Sequence, residues 1–215
     1  DMQVRLAAFK FLEDQTQIHG ETLPWQVLTH EFHFEGQRVP LLGASGIWKP
    51  AVMPEVPLSV TTAPPRPGRP APYEDSFQGE HILRYRYRGT DPSHPDNVGL
   101  QLAMRRKLPL IYFYGVVRGQ YVPAWPVYIV GDDPDNLCVT IEVDDRRLAL
   151  DQASSVSEED PSGRRGYVTV LATRRIHQAA FRTRVLRAYQ EKCAICRLKH
   201  AELLEAAHII PDSDP

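Results

Sequence analysis

The 215 residues are 42% hydrophobic and 24% charged, with a formal net charge of -2, a profile of ordinary globular chains that excludes a collagen-like, coiled-coil or wholly disordered body. No run approaches the roughly 20 apolar residues of a membrane span, and the first residues lack the basic, apolar and small-residue regions of a secretory signal. The cytoplasm is therefore the expected compartment, with no membrane partner.

Apolar positions Val4, Ala8, Phe11 and Leu12 recur at helical spacing and predict an amphipathic helix over 2–15. Thr22, followed by Pro24 in a first turn, predicts a second short helix that carries Trp25 and Leu28 on one face. Residues 30–39 then read as two short strands around the turn pair Glu35-Gly36. The proline-rich stretch TTAPPRPGRPAP (61–72) cannot donate a regular ladder and predicts an extended segment. Four strand candidates follow at 82–88, 109–117, 121–130 and 137–143, with a short helix over 97–107 that turns Leu100, Ala103 and Met104 inward. Residues 144–166 are polar and serine-rich, so a linker and a domain boundary are expected there. A final strand is expected around 167–172, then a helix over 174–190 with Ile176, Ala180, Phe181, Val185, Leu186 and Tyr189 in register.

Charge is unevenly spread. Residues 174–208 hold eight Lys or Arg against three Glu, whereas 132–160 is acidic. A basic C-terminal end favours a polyanionic partner there, although a solvated helix face would look the same. Cysteines number three, Cys138, Cys193 and Cys196, too few and too odd for a disulfide scaffold. Cys193-Ala-Ile-Cys196 instead has the spacing with which a tight turn aims two thiolates at one zinc ion, half of a structural site.

After this pair comes Ala-Ala-His208-Ile-Ile-Pro, so that FRTRVLRAYQEKCAIC and LLEAAHIIPDSDP together resemble the HNH endonuclease family. The resemblance implies a ββα-metal nuclease domain in which His208 is the general base. There it takes a proton from the water that attacks a phosphodiester, beside a divalent metal such as Mg that stabilises the leaving oxygen. Position 207, a metal-ligand position in many relatives, is alanine here. The family's second cysteine pair and its later Asn and His residues would follow Pro215, so the chain to that point is expected to be inactive as a nuclease.

Tyr73 in Ala-Pro-Tyr-Glu-Asp-Ser, Tyr87 in Tyr-Arg-Tyr-Arg-Gly, Gly79, the Asn97-x-Gly-Leu100 helix start and Gly-x-Tyr121-x-Pro together resemble the SRA family of the PUA-like superfamily, over about residues 40–145. That resemblance implies a reader of duplex DNA with a modified cytosine, 5-methyl or 5-hydroxymethyl, rotated out of the stack and held between aromatic rings. Tyr73 and Tyr87 are the expected rings, with Tyr85 as a rival for the second, and Asp75 and Ser76 are the expected readers of the base edge. Arg84, Arg86 and Arg88 alternate with Leu83, Tyr85 and Tyr87, so on a strand the arginines share a face that can contact phosphates, as can Lys49.

The expected fold is thus α+β: N-terminal helices, a curved sheet or barrel of SRA-like type, then a linker helix and the start of an HNH domain. The expected division is a preface over 1–40, a reader over 41–172, and linker helix plus incomplete nuclease over 173–215. Such an arrangement implies a modification-dependent restriction endonuclease, homodimeric when whole because both strands must be cut. A non-cleaving binder of modified DNA or RNA with a structural zinc knuckle is the alternative.

Overall fold

A computed structural model describes residues 1–64, 83–144 and 161–207, with the backbone alone for 161–165. Helix α1 (Met2–His19) buries Val4, Ala8 and Leu12 as the periodicity predicts and ends at Gly20, whose φ of 79° suits a residue without Cβ. The same face buries Arg5 completely. Its guanidinium donates to Asp1 Oδ1 at 2.5 Å, Pro109 O at 2.6 Å and Pro57 O at 3.0 Å, so one side chain ties α1 to two distant loops. Burial pushes its pKa down to about 10, which still leaves it charged at neutral pH.

The second predicted helix does not start at Thr22. Leu23–Pro24 forms strand β1, paired with Tyr121 and Gln120, and the Thr22 hydroxyl bonds that of Thr183 at 3.0 Å instead of capping a helix. A π-helical turn at Val27–Glu31 follows. Pairing to a neighbouring hairpin outweighs the local capping signal here, which is a tertiary effect. The predicted hairpin is present as β2 (His33–Phe34) and β3 (Gln37–Arg38), and positive φ at both Glu35 and Gly36 gives the turn the twist that hairpins favour.

The main sheet comprises β4 (Ile47–Trp48), β5 (Ser59–Thr62), β6 (Leu83–Arg86), β7 (Leu110–Val117), β8 (Gln120–Asp133) and β9 (Cys138–Val143), in the order β4-β5-β7-β8-β9-β6, with β1 added to β8. Only β5 and β7 pair in parallel among these neighbours. The 14-residue β8 pairs with β7 along its first half and β9 along its second, and register shifts near Gly131 and Gly115 help the sheet curl into a half-barrel. A Cβ at Gly115 would come within 2.6 Å of Thr62 O, so the parallel pair can close only over glycine.

β7 is buried on both faces, as its unbroken apolar run predicts. Ile111 and Phe113 join Val4, Ala8, Leu12, Leu28, Leu41 and Trp125 in a core on the α1 side. Leu110 and Tyr112 join Tyr85, Tyr87, Val127 and Ile141 in a second core on the other side, covered by helix α2 (Pro95–Arg105) and helix α3 (Pro161–Ala188). Residues 1–40 therefore share a core with the sheet.

The strand expected at 167–172 is helical, and α3 runs without a break across the expected boundary at 172/173. Val168 and Val170 suggest alternation, yet Val168, Ala172, Ile176, Ala179 and Ala180 form one buried stripe at helical spacing. Thr169, fully buried, adds a further tie, its hydroxyl oxygen accepting from Val143 N at 2.9 Å.

Candidate nucleic-acid interface

In β6 the alternation holds. Leu83 and Tyr85 lie opposite Ile141 and Val139 and are buried, while Arg84 and Arg86 lie opposite Thr140 and Cys138 and are half-buried and exposed. Tyr87 N continues the ladder with a bond to Leu137 O at 2.8 Å. Among the described residues β6 ends the strand order, so its arginines also place charge along a sheet edge, where charge discourages edge-to-edge pairing.

The four cations expected to meet phosphates are not equivalent. Asp96, in the first turn of α2, takes Arg88 Nη1 at 2.7 Å and Lys49 Nζ at 3.4 Å, and Lys49 also donates to Pro95 O at 2.9 Å. Lys49 is thus largely committed to holding α2, whereas the Arg88 side chain keeps 55% exposure. Arg84 lowers the pKa of the Asp133 carboxyl, a smaller influence there than the hydrogen bonds from Asn136. Arg84 and Arg86 lie on the strand itself, and Arg88 is anchored just beyond it.

Burial pulls the Asp96 carboxyl upward, but the Arg88 hydrogen bond and the Lys49 charge outweigh it, so its pKa is below the ordinary value. A depressed folded-state pKa contributes stability above the unfolded value of about 3.9, and this is lost as pH falls through the folded value. Asp96→Asn is expected to cost about 1 kcal/mol at pH 7. The gap in melting temperature between D96N and the parent should narrow below about pH 4, and a gap independent of pH would dismiss the ion-pair explanation. His94 Nδ1 accepts from Asp96 N at 3.1 Å and completes the cluster.

The ring of Tyr87 is 1% exposed. Its hydroxyl donates to the Asp132 carboxylate and accepts from Gln101 Nε2 at 3.1 Å. Burial and the Asp132 bond push its pKa up to about 12, against the opposing pull of Gln101. A base-stacking role for Tyr87 requires this ring to become accessible. Tyr85 is 5% exposed, with its hydroxyl 3.3 Å from Thr61 O, so it offers no more open face. Tyr73, Asp75 and Ser76 lie outside the described residues.

At the other end, α3 gives way to a reversal in which Gln190 and Glu191 adopt φ of 54° and 55°. Cys193 N bonds Leu198 O at 2.9 Å, Arg197 N bonds Cys193 O at 3.1 Å, and Cys196 N points at Cys193 Sγ at 3.5 Å. Backbone N–H groups of Cys196 and Ile195, then the Cys196 thiol, lower the pKa of the Cys193 thiol, which favours the thiolate a metal needs. The loop therefore suits a two-thiolate half-site. Among the described residues no third Cys, His, Asp or Glu joins it, and His200 pairs with Glu202 at 2.9 Å. His208 lies outside the described residues. Cys138 is buried in β9, where burial raises its pKa.

Asp96, Asp132 and Gln101 carry no local signal in the sequence, since each acquires its role from a partner on another element. Compared with known proteins, the chain matches no family model, no curated protein and no solved structure. Among the described residues no helix is long and apolar enough to cross a membrane.

Proposed function

We propose that the chain is the reader and the leading nuclease segment of a modification-dependent DNA endonuclease. The observation that carries this reading is α3, one unbroken helix whose buried stripe packs on the curled sheet and whose far end enters the Cys193–Cys196 loop. Such a helix couples a DNA-reading sheet to a cutting unit without a slack tether.

In this reading the sheet binds duplex DNA through Arg84, Arg86 and Arg88, which position the backbone without reading sequence. The modified cytosine leaves the stack and is held by Tyr73 and Tyr87, with Asp75 and Ser76 at its edge. Rotation out of the helix costs a few kcal/mol, and stacking of about 1–3 kcal/mol per ring helps to offset it. Cys193 and Cys196 would hold a structural zinc ion as two of its thiolate ligands. His208 accepts the proton of the attacking water, and a divalent ion, when bound, supplies charge stabilisation for the leaving oxygen. The resemblance of FRTRVLRAYQEKCAIC and LLEAAHIIPDSDP to HNH enzymes supports hydrolysis as the chemistry.

Titration at fixed salt with duplexes that differ at one cytosine C5 is the test. The chain is expected to favour the 5-methyl or 5-hydroxymethyl duplex at least tenfold, and Tyr73→Ala with Tyr87→Ala together should bring that ratio towards one. Equal affinity of the parent chain for modified and plain duplex would refute the reader. A preference for RNA of equal length would move the assignment to RNA binding.

A further inference from the structure

The geometry points to a second, phosphate-binding site where the tip of the β7–β8 hairpin faces α3. A cavity of about 850 Å³ there is lined by Gly46, Thr61, Arg118, Tyr121 and Arg187 among others, and among the described residues its wall contains no carboxylate. Arg118 belongs to the hairpin turn and Arg187 to the last turn of α3. Two arginines from separate elements line one cavity, and among the described residues neither guanidinium has an ion-pair partner.

Like charges around a shared cavity repel until an anion enters between them, and the planar guanidinium fork matches the oxygens of a phosphate. Tyr121 adds an aromatic wall suited to the sugar or base attached to that phosphate. Thr61, another wall residue, has a buried hydroxyl without a hydrogen-bond partner.

Both arginine-bearing elements are fixed by the same short segment. Trp25 N bonds Gly119 O at 2.9 Å and Leu23 pairs with Tyr121, which holds the hairpin. Glu21 takes Arg175 Nε at 2.5 Å and the Thr22 hydroxyl meets that of Thr183 at 3.0 Å, which holds α3. Residues 21–25 thus staple the turn to the helix, and the spacing between the arginines is set before any ligand arrives. The ligand class is a nucleotide phosphate, from a DNA backbone or from a free nucleotide. Only the choice of DNA as its source rests on the reader proposed above. With DNA bound, one phosphate would bridge the sheet and the helix that leads to the thiol loop.

Arg118→Gln, Arg187→Gln and the double variant, each checked for an unchanged melting curve, are titrated with labelled duplex across a salt series and with deoxycytidine monophosphate. Arg38→Gln, on the β2–β3 hairpin outside the cavity, controls for general charge loss. Each single cavity variant is expected to weaken duplex binding 3- to 10-fold and to reduce the log–log salt slope by about one, and the double variant by about two. The modified-to-plain ratio should stay at the parent value. Weakening of the mononucleotide alone would identify a free nucleotide as the source, with the phosphate site upheld. Cavity variants that bind both ligands like the parent, or no more weakly than R38Q, would overturn it. A parent chain with no preference for modified duplex but with arginine-dependent binding would reject the reader and keep this site. Preference without arginine dependence would do the reverse.

Discussion

Arg5→Ala is expected to lower the stability of the fold by about 3–5 kcal/mol, the range for removing one partner from a buried charged network. The guanidinium is fully buried and donates to Pro109 O and Pro57 O as well as to Asp1. Truncation leaves those two carbonyls without this donor and opens a void beneath α1. Asp1 contributes little to the loss, because its carboxylate is 40% exposed and can return to water. Arg5→Met separates the contributions: it refills most of the volume but restores no donor, so it should fall between the parent and R5A. Urea denaturation measures both, and the melting temperature of R5A should drop by roughly 6–20 °C. Should both variants lie within about 1 kcal/mol of the parent, Arg5 would not be the tie that fastens α1 to the sheet.

Much of the fold was open to reading wherever one periodicity dominated. Val4, Ala8 and Leu12 declare α1, the pair Glu35-Gly36 declares the small hairpin, and the apolar run of β7 declares a strand covered on both faces. Residues 167–172 misled because Tyr167, Val168 and Val170 are β-formers, and only the longer stripe through Ile176 and Ala180 reveals the helix. Thr22 misled because its partner is Thr183, far away in sequence. In the candidate interface, the arginine alternation was legible since period two is local, but the burial of Tyr87 was not. That burial depends on Asp132 at the end of β8 and Gln101 on α2. No window around Tyr87 contains either one. The same holds for Lys49, whose charge is drawn to Asp96 at a distance only the folded chain creates.

Asn97→Asp is expected to be nearly as damaging as the loss of Arg5, at about 3 kcal/mol at pH 7, although it changes a single heavy atom. Asn97 is fully buried at the start of α2, where its Oδ1 accepts from Arg88 N at 2.8 Å and its Nδ2 donates to Arg88 O at 3.0 Å and Asp91 O at 2.7 Å. The amide thus fixes the turn that leaves β6 just after Tyr87. In N97D the acceptor survives, but the donor becomes a carboxylate oxygen aimed at two carbonyls. Buried beside acceptors, that carboxylate takes a raised pKa, so the folded state binds a proton that the unfolded chain releases. Once protonated it can donate to one carbonyl again. The deficit of N97D should therefore shrink as pH falls from 7 towards 4, the range in which the D96N difference is still at its full size. N97A has no group to protonate, and its cost should stay level relative to the parent over this range. A stability gap for N97D that does not move with pH would show that the side-chain amide is not needed as a donor, and the turn after Tyr87 would then owe its shape to the backbone alone.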